Sequence, residues 1–365
     1  MKKIRVGVIF GGRSGEHEVS VMSARSVIEN LDRERYEVIP LAITREGRWL
    51  PTREAAAALK AGVAEGGEGA LAVLPGSSSS ALVAVEGADA SIPRLDIVFP
   101  VLHGTYGEDG TIQGLLEMAG IPYVGAGVTG SAIGMDKALM KSVWKSEGIP
   151  VLPWATVMRG RWESEPDQVV RELVSNPGLP CFIKPANLGS SVGISRADSQ
   201  EELRQGLALA ASYDRKLVVE KAADSPREIE LAVLGNDDAE VSVPGEIIHG
   251  ARFYDYQAKY LQTEGQRIEI PADLDEETSR EFQRLALRAY RALDMNGLSR
   301  VDFLLDRSGA IYLNEVNTMP GFTPISMYSR LWAASGLPYP KLLDRLIELA
   351  MERFRDRQRN LVTRA

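Results

Sequence analysis

Between Ser299 and Asn317 the chain reads as two strands around a turn. With Ser308-Gly309 as a two-residue loop, Asp302 falls opposite Glu315 and Arg300 opposite Asn317. Residues two apart on a strand share a face, so these four side chains line one patch. Carboxylates directly opposite each other repel, and a hairpin that keeps them there calls for a cation between them. Oxygen-only donors suit magnesium, which usually completes its shell with water and substrate phosphates. The plainer reading is a solvated sheet face with scattered charges, and a loop one residue longer or shorter breaks the pairing.

Such a patch needs elements to hold it, and the chain is long enough to supply them. Its 365 residues allow two or three domains and a large core. With 44% hydrophobic and 25% charged residues the composition is that of a globular protein. A net charge of -8 argues against nonspecific binding to nucleic acid or an anionic membrane. The single cysteine, Cys181, excludes an internal disulfide and reads as a small core residue. The first apolar run is too short for a signal peptide and none reaches membrane-spanning length, so the expected compartment is the cytoplasm.

Over the first third, apolar runs at Ile4 to Phe10, Tyr36 to Thr44 and Asp96 to Leu102 alternate with helical stretches. One helix is expected from a cap at Ser20 to about Leu31, and another from Thr111 to Ala119. Residues 51–93 read as a short helix followed by peripheral structure. The pattern predicts an α/β N-terminal domain with a doubly wound parallel sheet. Further on, helices at Lys137 to Glu147, Ser199 to Ala211, Glu276 to Leu293 and Pro340 to Phe354 accompany antiparallel strands. These predict two α+β subdomains.

Five further segments could carry chemistry. Gly11 to Ser20 is a strand-to-helix loop whose glycine spacing does not match a dinucleotide fingerprint. Its Glu16 suits an ammonium or a hydroxyl, or simply caps the helix. In Ile183 to Ile194 a lysine at a strand end, Lys184, precedes a Gly/Ser-rich loop that could cradle phosphate or be an ordinary flexible turn. Glu220 and Glu228 lie at strand ends, fit for an adenine amino group and ribose hydroxyls or merely solvated. Ala251 to Tyr260 mixes aromatic and charged residues without period, as a covering loop does, and its Lys259 could neutralise a terminal phosphate. In Thr318 to Ser326, the Gly321 N–H beside Arg300 could stabilise an oxyanion, and Ser326 could bind a carboxylate, unless the segment is only a proline-punctuated turn.

In this order the segments resemble ATP-grasp ligases, and the D-alanine–D-alanine ligase family in particular. The resemblance spans nearly the whole chain. It rests on Gly11 to Ser20, on His103-Gly-Thr-Tyr-Gly-Glu-Asp-Gly110, on Lys184 through Gly193 and on Glu315-Val-Asn-Thr-Met-Pro-Gly321. It implies three domains, at 1–125, 126–216 and 217–365, with ATP between the second and third. It gives Lys137, Lys184 and Ser191 to phosphates, Glu220, Lys221 and Ala223 to adenine, and Glu228 to ribose. It gives Asp302, Glu315 and Asn317 to two magnesium ions, with room for manganese in their place and for a monovalent cation nearby. Glu16, Ser190 and Tyr260 become a hydrogen-bonded set over the first substrate, and Lys259 lies near the transferred phosphoryl group. His103 sits by the first D-alanine and Ser326 by the carboxylate of the second. Arg300 and the Gly321 N–H serve the tetrahedral centre.

The implied reaction is ligation of two D-alanines through an acyl phosphate, for peptidoglycan precursor synthesis, by a cytoplasmic homodimer. D-Lactate-using relatives lack a lysine-tyrosine pair in the covering loop, so Lys259-Tyr260 favours D-alanine as second substrate over a D-lactate or mixed-specificity alternative. The stretch 51–93 and the basic tail after Phe354 match no family feature. One extra residue between Lys221 and Glu228 weakens the ribose assignment.

Overall fold

The computed structural model describes residues 2–66, 69–73, 82–86, 94–248 and 267–361. The first sheet starts from β1 (Ile4–Gly11), apolar on both faces as a central parallel strand must be. It ends at Gly11, where φ is +88° and an added Cβ would lie 2.3 Å from the Ile43 carbonyl oxygen. There follow α1 (His17–Asn30), β2 (Tyr36–Ile43), β3 (Trp49–Leu50), α2 (Thr52–Ala61), β4 (Ala70–Val73), β5 (Leu82–Glu86), β6 (Ile97–Pro100) and α3 (Thr111–Ala119). The sheet order is β5-β4-β3-β2-β1-β6.

Among the described strands, β2, β1 and β6 run parallel, and β3, β4 and β5 extend the sheet antiparallel. The wound parallel sheet is therefore one half of a mixed sheet. The other half comes partly from the region read as peripheral, whose short Ala- and Val-rich strands carry little pattern. Ser20 does not cap α1. It is fully buried inside the helix, accepts the Gly11 N–H at 2.8 Å and donates to the Val101 carbonyl. The cap position belongs to Glu16.

The chain continues through α4 (Val128–Met135) and α5 (Lys137–Ser146) into the second sheet. This comprises β7 (Trp154–Met158), α6 (Arg159–Ser164), α7 (Pro166–Ser175), β8 (Cys181–Pro185), β9 (Ser195–Ala197), α8 (Gln200–Tyr213) and β10 (Lys216–Lys221). Its order, β7-β10-β8-β9, is antiparallel throughout. Ser199 and Glu202 form a reciprocal capping box that sets the start of α8. Cys181 is buried in β8, where burial pushes its thiol up to about 11, so it is a core residue and a poor nucleophile.

The third sheet is built from β11 (Arg227–Gly235), β12 (Glu240–Val241), β13 (Gly245–Ile248), β14 (Arg267–Glu269), β15 (Gly297–Leu305) and β16 (Ile311–Asn317). It is backed by α9 (Glu276–Ala292), and α10 (Met327–Ala334) and α11 (Tyr339–Arg357) close the chain. β11 is central, between β13 and β15, and β12 pairs with it as well. The largest core joins both ends of the chain: Val6, Val8 and Phe10 of β1 share it with Met319, Phe322, Leu342 and Leu346. From α11, Arg353 places its guanidinium 4.3 Å over the Tyr123 ring and donates to the Tyr123 and Gly125 carbonyls. No helix of the described residues is long and apolar enough to cross a membrane.

Candidate active site

Asp302 pairs with Glu315 and Arg300 with Asn317, as the hairpin reading requires, but by a different route. The turn is longer than two residues: Leu305 faces Ile311, Leu304 faces Tyr312 and Phe303 faces Leu313. This register is one residue off the expected one. A bulge between Asp302 and Phe303 then leaves Asn314 as the extra residue on β16 and restores the pairing beyond it. The bulge also re-aims Asn314, whose carbonyl accepts from Lys141 at 3.2 Å and whose Oδ1 lies 3.4 Å from the Lys184 ammonium.

Arg300 grips Asp302 with two hydrogen bonds of 2.7 and 2.6 Å and meets Glu230 at 2.9 Å. Burial works against its charge, but Asp302 and Glu230 outweigh that and hold its pKa well above the usual value. Asn317 donates to Asp302 at 2.9 Å, and Glu315 lies 3.8 Å from the Lys137 ammonium. Among the described residues no three His, Cys, Asp or Glu side chains converge into a closed metal cage. Asp302, Glu315 and the Asn317 amide instead place oxygen atoms on one side of the hairpin, with both Asp302 oxygens engaged by Arg300 and one also by the Asn317 amide nitrogen. Oxygen donors are what magnesium takes when phosphate oxygens and water complete its shell.

Lysines stand across from the acids. Lys184, on β8, sits 2.6 Å from Glu220 of β10. Lys141, fully buried on α5, pairs with the other oxygen of the same carboxylate. Burial pushes Lys141 down in pKa despite Glu220, whereas for Lys184 the same burial is outweighed by Glu220, Glu315 and Glu228. Burial would raise Glu220, but the two lysines hold its pKa below the usual value. With 1% exposure, the Glu220 carboxylate holds both lysines, one on each oxygen. Lys137, one turn before Lys141, donates to the Leu188 carbonyl at 2.7 Å, at the edge of the Gly/Ser-rich loop.

In that loop Ser190 and Ser191 both adopt left-handed backbone, at φ +50° and +59°, a conformation costing non-glycine residues on the order of 1–3 kcal/mol each. The turn carries the Ser190 hydroxyl to Glu16, to which it donates. Gly104 comes equally close: at φ +73° its Cβ would stand 2.8 Å from the Glu16 carboxylate. Tyr260, the third member expected of this set, and Lys259 lie outside the described residues. Lys221 turns away, donating to the Leu179 carbonyl at 2.5 Å; Ala223 lies between β10 and β11, and Glu228 near the start of β11.

His103 is 4% exposed and both ring nitrogens are engaged, Nδ1 by the Met319 carbonyl at 2.9 Å and Nε2 by the Ser23 hydroxyl at 3.1 Å. Glu108 accepts N–H groups from Gly104 at 2.6 Å and Met319 at 3.0 Å. Burial, with Glu16 nearby, raises its carboxyl to about 8. Ser326 precedes α10, and its hydroxyl accepts the Thr323 N–H at 3.1 Å. It lies beside Gly321, 3.3 Å from where a Cβ there would be.

Sequence reasoning missed Lys141, Glu230, Glu108 and Ser23. Two of these had a readable signal: Lys141 is four residues from Lys137 on the same helix face, and Glu230 is two from Glu228 on the same strand face.

The site brings lysines of α5 and β8 to an acidic face of the third sheet, and the chain is similar to known proteins along its full length. Two family models match, described as D-ala D-ala ligase N-terminus over residues 5–126 and D-ala D-ala ligase C-terminus over residues 143–348. A D-alanine--D-alanine ligase from Heliobacterium modesticaldum is 49% identical over 365 residues, covering 100% of this chain and 99% of that protein. One from Natranaerobius thermophilus is 47% identical, covering 99% and 98%. Among solved structures, the D-alanine-D-alanine ligase from Coxiella burnetii superposes with a TM-score of 0.83 at 36% identity, over 98% of this chain and 97% of that one. The VanG D-Ala:D-Ser ligase from Enterococcus faecalis gives 0.84 at 37%, over 96% and 100%. With both halves matched in order and no large part left over, the chain belongs to the D-alanine–D-alanine ligase family of ATP-grasp enzymes.

Proposed function

We propose that the chain joins two molecules of D-alanine into D-alanyl-D-alanine, coupled to cleavage of ATP to ADP and phosphate. The observation that carries this is the approach of Lys137 and Lys141 of α5 and Lys184 of β8 to the hairpin that bears Asp302, Glu315 and Asn317: Lys137 lies 3.8 Å from Glu315, and Lys141 and Lys184 both reach the adjacent Asn314. The carboxylate of the first D-alanine attacks the γ-phosphorus, the bond to ADP breaks, and an acyl phosphate forms. Lys137 and Lys184 neutralise charge on the phosphates as the phosphoryl group moves. Magnesium held by Asp302, Glu315 and Asn317 would supply Lewis-acid stabilisation of the phosphoryl oxygens. The amine of the second D-alanine then attacks the acyl carbon, and phosphate leaves with the bonding electron pair. Arg300 and the Gly321 N–H stabilise the oxyanion of that tetrahedral centre, and Glu16 with Ser190 positions the first D-alanine.

Ser191 serves the phosphates, while Ala223, Glu228 and the backbone of Lys221, whose ammonium is taken by the Leu179 carbonyl, line the nucleoside. Ser326 receives the carboxylate of the second D-alanine. Lys259 and Tyr260 complete the cover that keeps water from the acyl phosphate. Manganese replacing magnesium, a monovalent activator, a homodimer, a cytoplasmic location and a role in peptidoglycan precursor synthesis belong to the same reading.

Phosphate release should require ATP, magnesium and D-alanine together, with D-lactate a poor second substrate. Glu315→Gln should abolish turnover while leaving the circular dichroism spectrum intact. Near-normal turnover in that variant would remove the metal assignment. D-Serine accepted as well as D-alanine would move the chain toward the specificity named for the Enterococcus structure.

A further inference from the structure

The loop Met319–Phe322 is held by side chains that reach it from elsewhere in the chain. The Met319 N–H goes to Glu108 at 3.0 Å and the Met319 carbonyl to His103 at 2.9 Å. The Phe322 N–H goes to Ser23 at 3.3 Å, and the Phe322 carbonyl accepts from the Tyr339 hydroxyl at 2.9 Å, which itself accepts from Ser26 at 3.1 Å. The Phe322 ring packs 5.6 to 5.8 Å from those of Phe99, Tyr328 and Tyr339. Pro320 has no N–H, and none of these bonds uses the Gly321 N–H.

The direction of each bond is forced. A carbonyl only accepts, so His103 Nδ1 carries a hydrogen. Burial keeps the ring neutral, which leaves Nε2 an acceptor. The Ser23 hydroxyl therefore donates to Nε2 and accepts the Phe322 N–H. Ser23 and His103 thus close a ring of hydrogen bonds whose two ends fall on Met319 and Phe322, on either side of Gly321. Ser23 is 1% exposed.

We propose that Ser23, acting through His103 and the Phe322 N–H, is a positioning residue that aims the Gly321 N–H at the oxyanion of the second step. It touches no substrate. The inference rests on the ligase reading above, in which Gly321 serves the tetrahedral centre. It also gives His103 a holding role in place of direct contact with the first D-alanine.

Removing the Ser23 hydroxyl should spare formation of the acyl phosphate and impair its use. In Ser23→Ala, scrambling of the bridging ¹⁸O in ATP with D-alanine, which reports the first step, should stay within about twofold of the parent. Dipeptide synthesis should fall on the order of tenfold or more, less than complete loss of an oxyanion donor, which costs about 10²–10³. KM for ATP should hold, and Ser23→Thr should restore part of the rate. Equal loss of scrambling and synthesis, or synthesis at the parental rate, overturns the proposal.

A second measurement needs no variant. Nitrogen-15 spectra of the substrate-free protein should show His103 as the neutral tautomer protonated at Nδ1; an Nε2-protonated ring or an imidazolium at neutral pH overturns the clamp. Because that spectrum is taken without substrates, it tests the clamp alone. Absence of dipeptide synthesis by the unsubstituted protein would count against the ligase reading.

Discussion

Lys141 has no exposed surface, yet it carries an ammonium between Glu220 and the Asn314 carbonyl. A buried cation persists only where fixed acceptors surround it. Glu220 in turn is shared, so the charge state of Lys184 depends on a neighbour that never meets solvent. Replacing Lys141 by methionine keeps the volume and leaves Glu220 with one cation. Breaking a buried pair in this way typically costs about 3–5 kcal/mol. Lys184 is then drawn fully to Glu220, and KM for ATP should rise at least tenfold. Urea unfolding and initial-rate kinetics check the two effects; a variant unchanged in both would show that Lys141 is a bystander.

The same residue shows where reading a sequence stops. Asp302 and Glu315 announce themselves because two like charges are forced together by strand pairing. Lys141 announces itself only through its spacing from Lys137, and that spacing does not tell a buried lysine from one that faces water. Ser20 and Ser23 share that ambiguity: three residues apart on α1, both bury hydroxyls against backbone from other segments, and a sequence holds no record of those partners.

At the level of elements, the hairpin β15–β16 shows a pairing reached through two departures that cancel. The turn shifts the register by one residue, and the bulge at Asn314 shifts it back. The alternation of apolar and charged residues near Asp302 and Glu315 was sound, because burial of Phe303 and Leu313 on the opposite face enforces it. The turn was not, because several loop lengths satisfy the same short Ser-Gly signal. The first sheet divides in the same way. Its parallel strands are continuous apolar runs and were legible, whereas β4 and β5 owe their pairing to neighbours.

Deleting Asn314 should leave Phe303 opposite Leu313 and Asp302 opposite Glu315, now without a bulge. The expected outcome is a folded protein with an intact carboxylate pair and weakened nucleotide binding, since the two lysines lose an acceptor. Calorimetric titration with a non-hydrolysable ATP analogue measures it. Parental affinity in the folded deletion variant would show the bulge to be a passive kink.

Taken as a whole, the molecule is tied end to end. The core beneath the first sheet contains strand β1 and helix α11 together, with Met319 and Phe322 of the site loop set into it. Tyr36 donates to Asp344 at 3.0 Å, and Arg35 pairs with the same carboxylate at 2.7 Å, which adds polar ties along the join. Leu346 is fully buried there. Leu346→Ala should cost about 2–5 kcal/mol, and circular dichroism and tryptophan fluorescence should report one shared transition at lower denaturant. Two separated transitions would mean that the ends unfold independently.

That joining of the termini has a consequence for how the protein is made. As the chain leaves the ribosome, β1 and α1 emerge well before α11, and one flank of their apolar surface stays uncovered until α11 has been synthesised. The nascent protein therefore carries an exposed apolar face until α11 arrives, the kind of surface to which holding chaperones bind. The loop bearing Gly321 comes off the ribosome before the helix that completes its floor, so catalytic competence waits for α11.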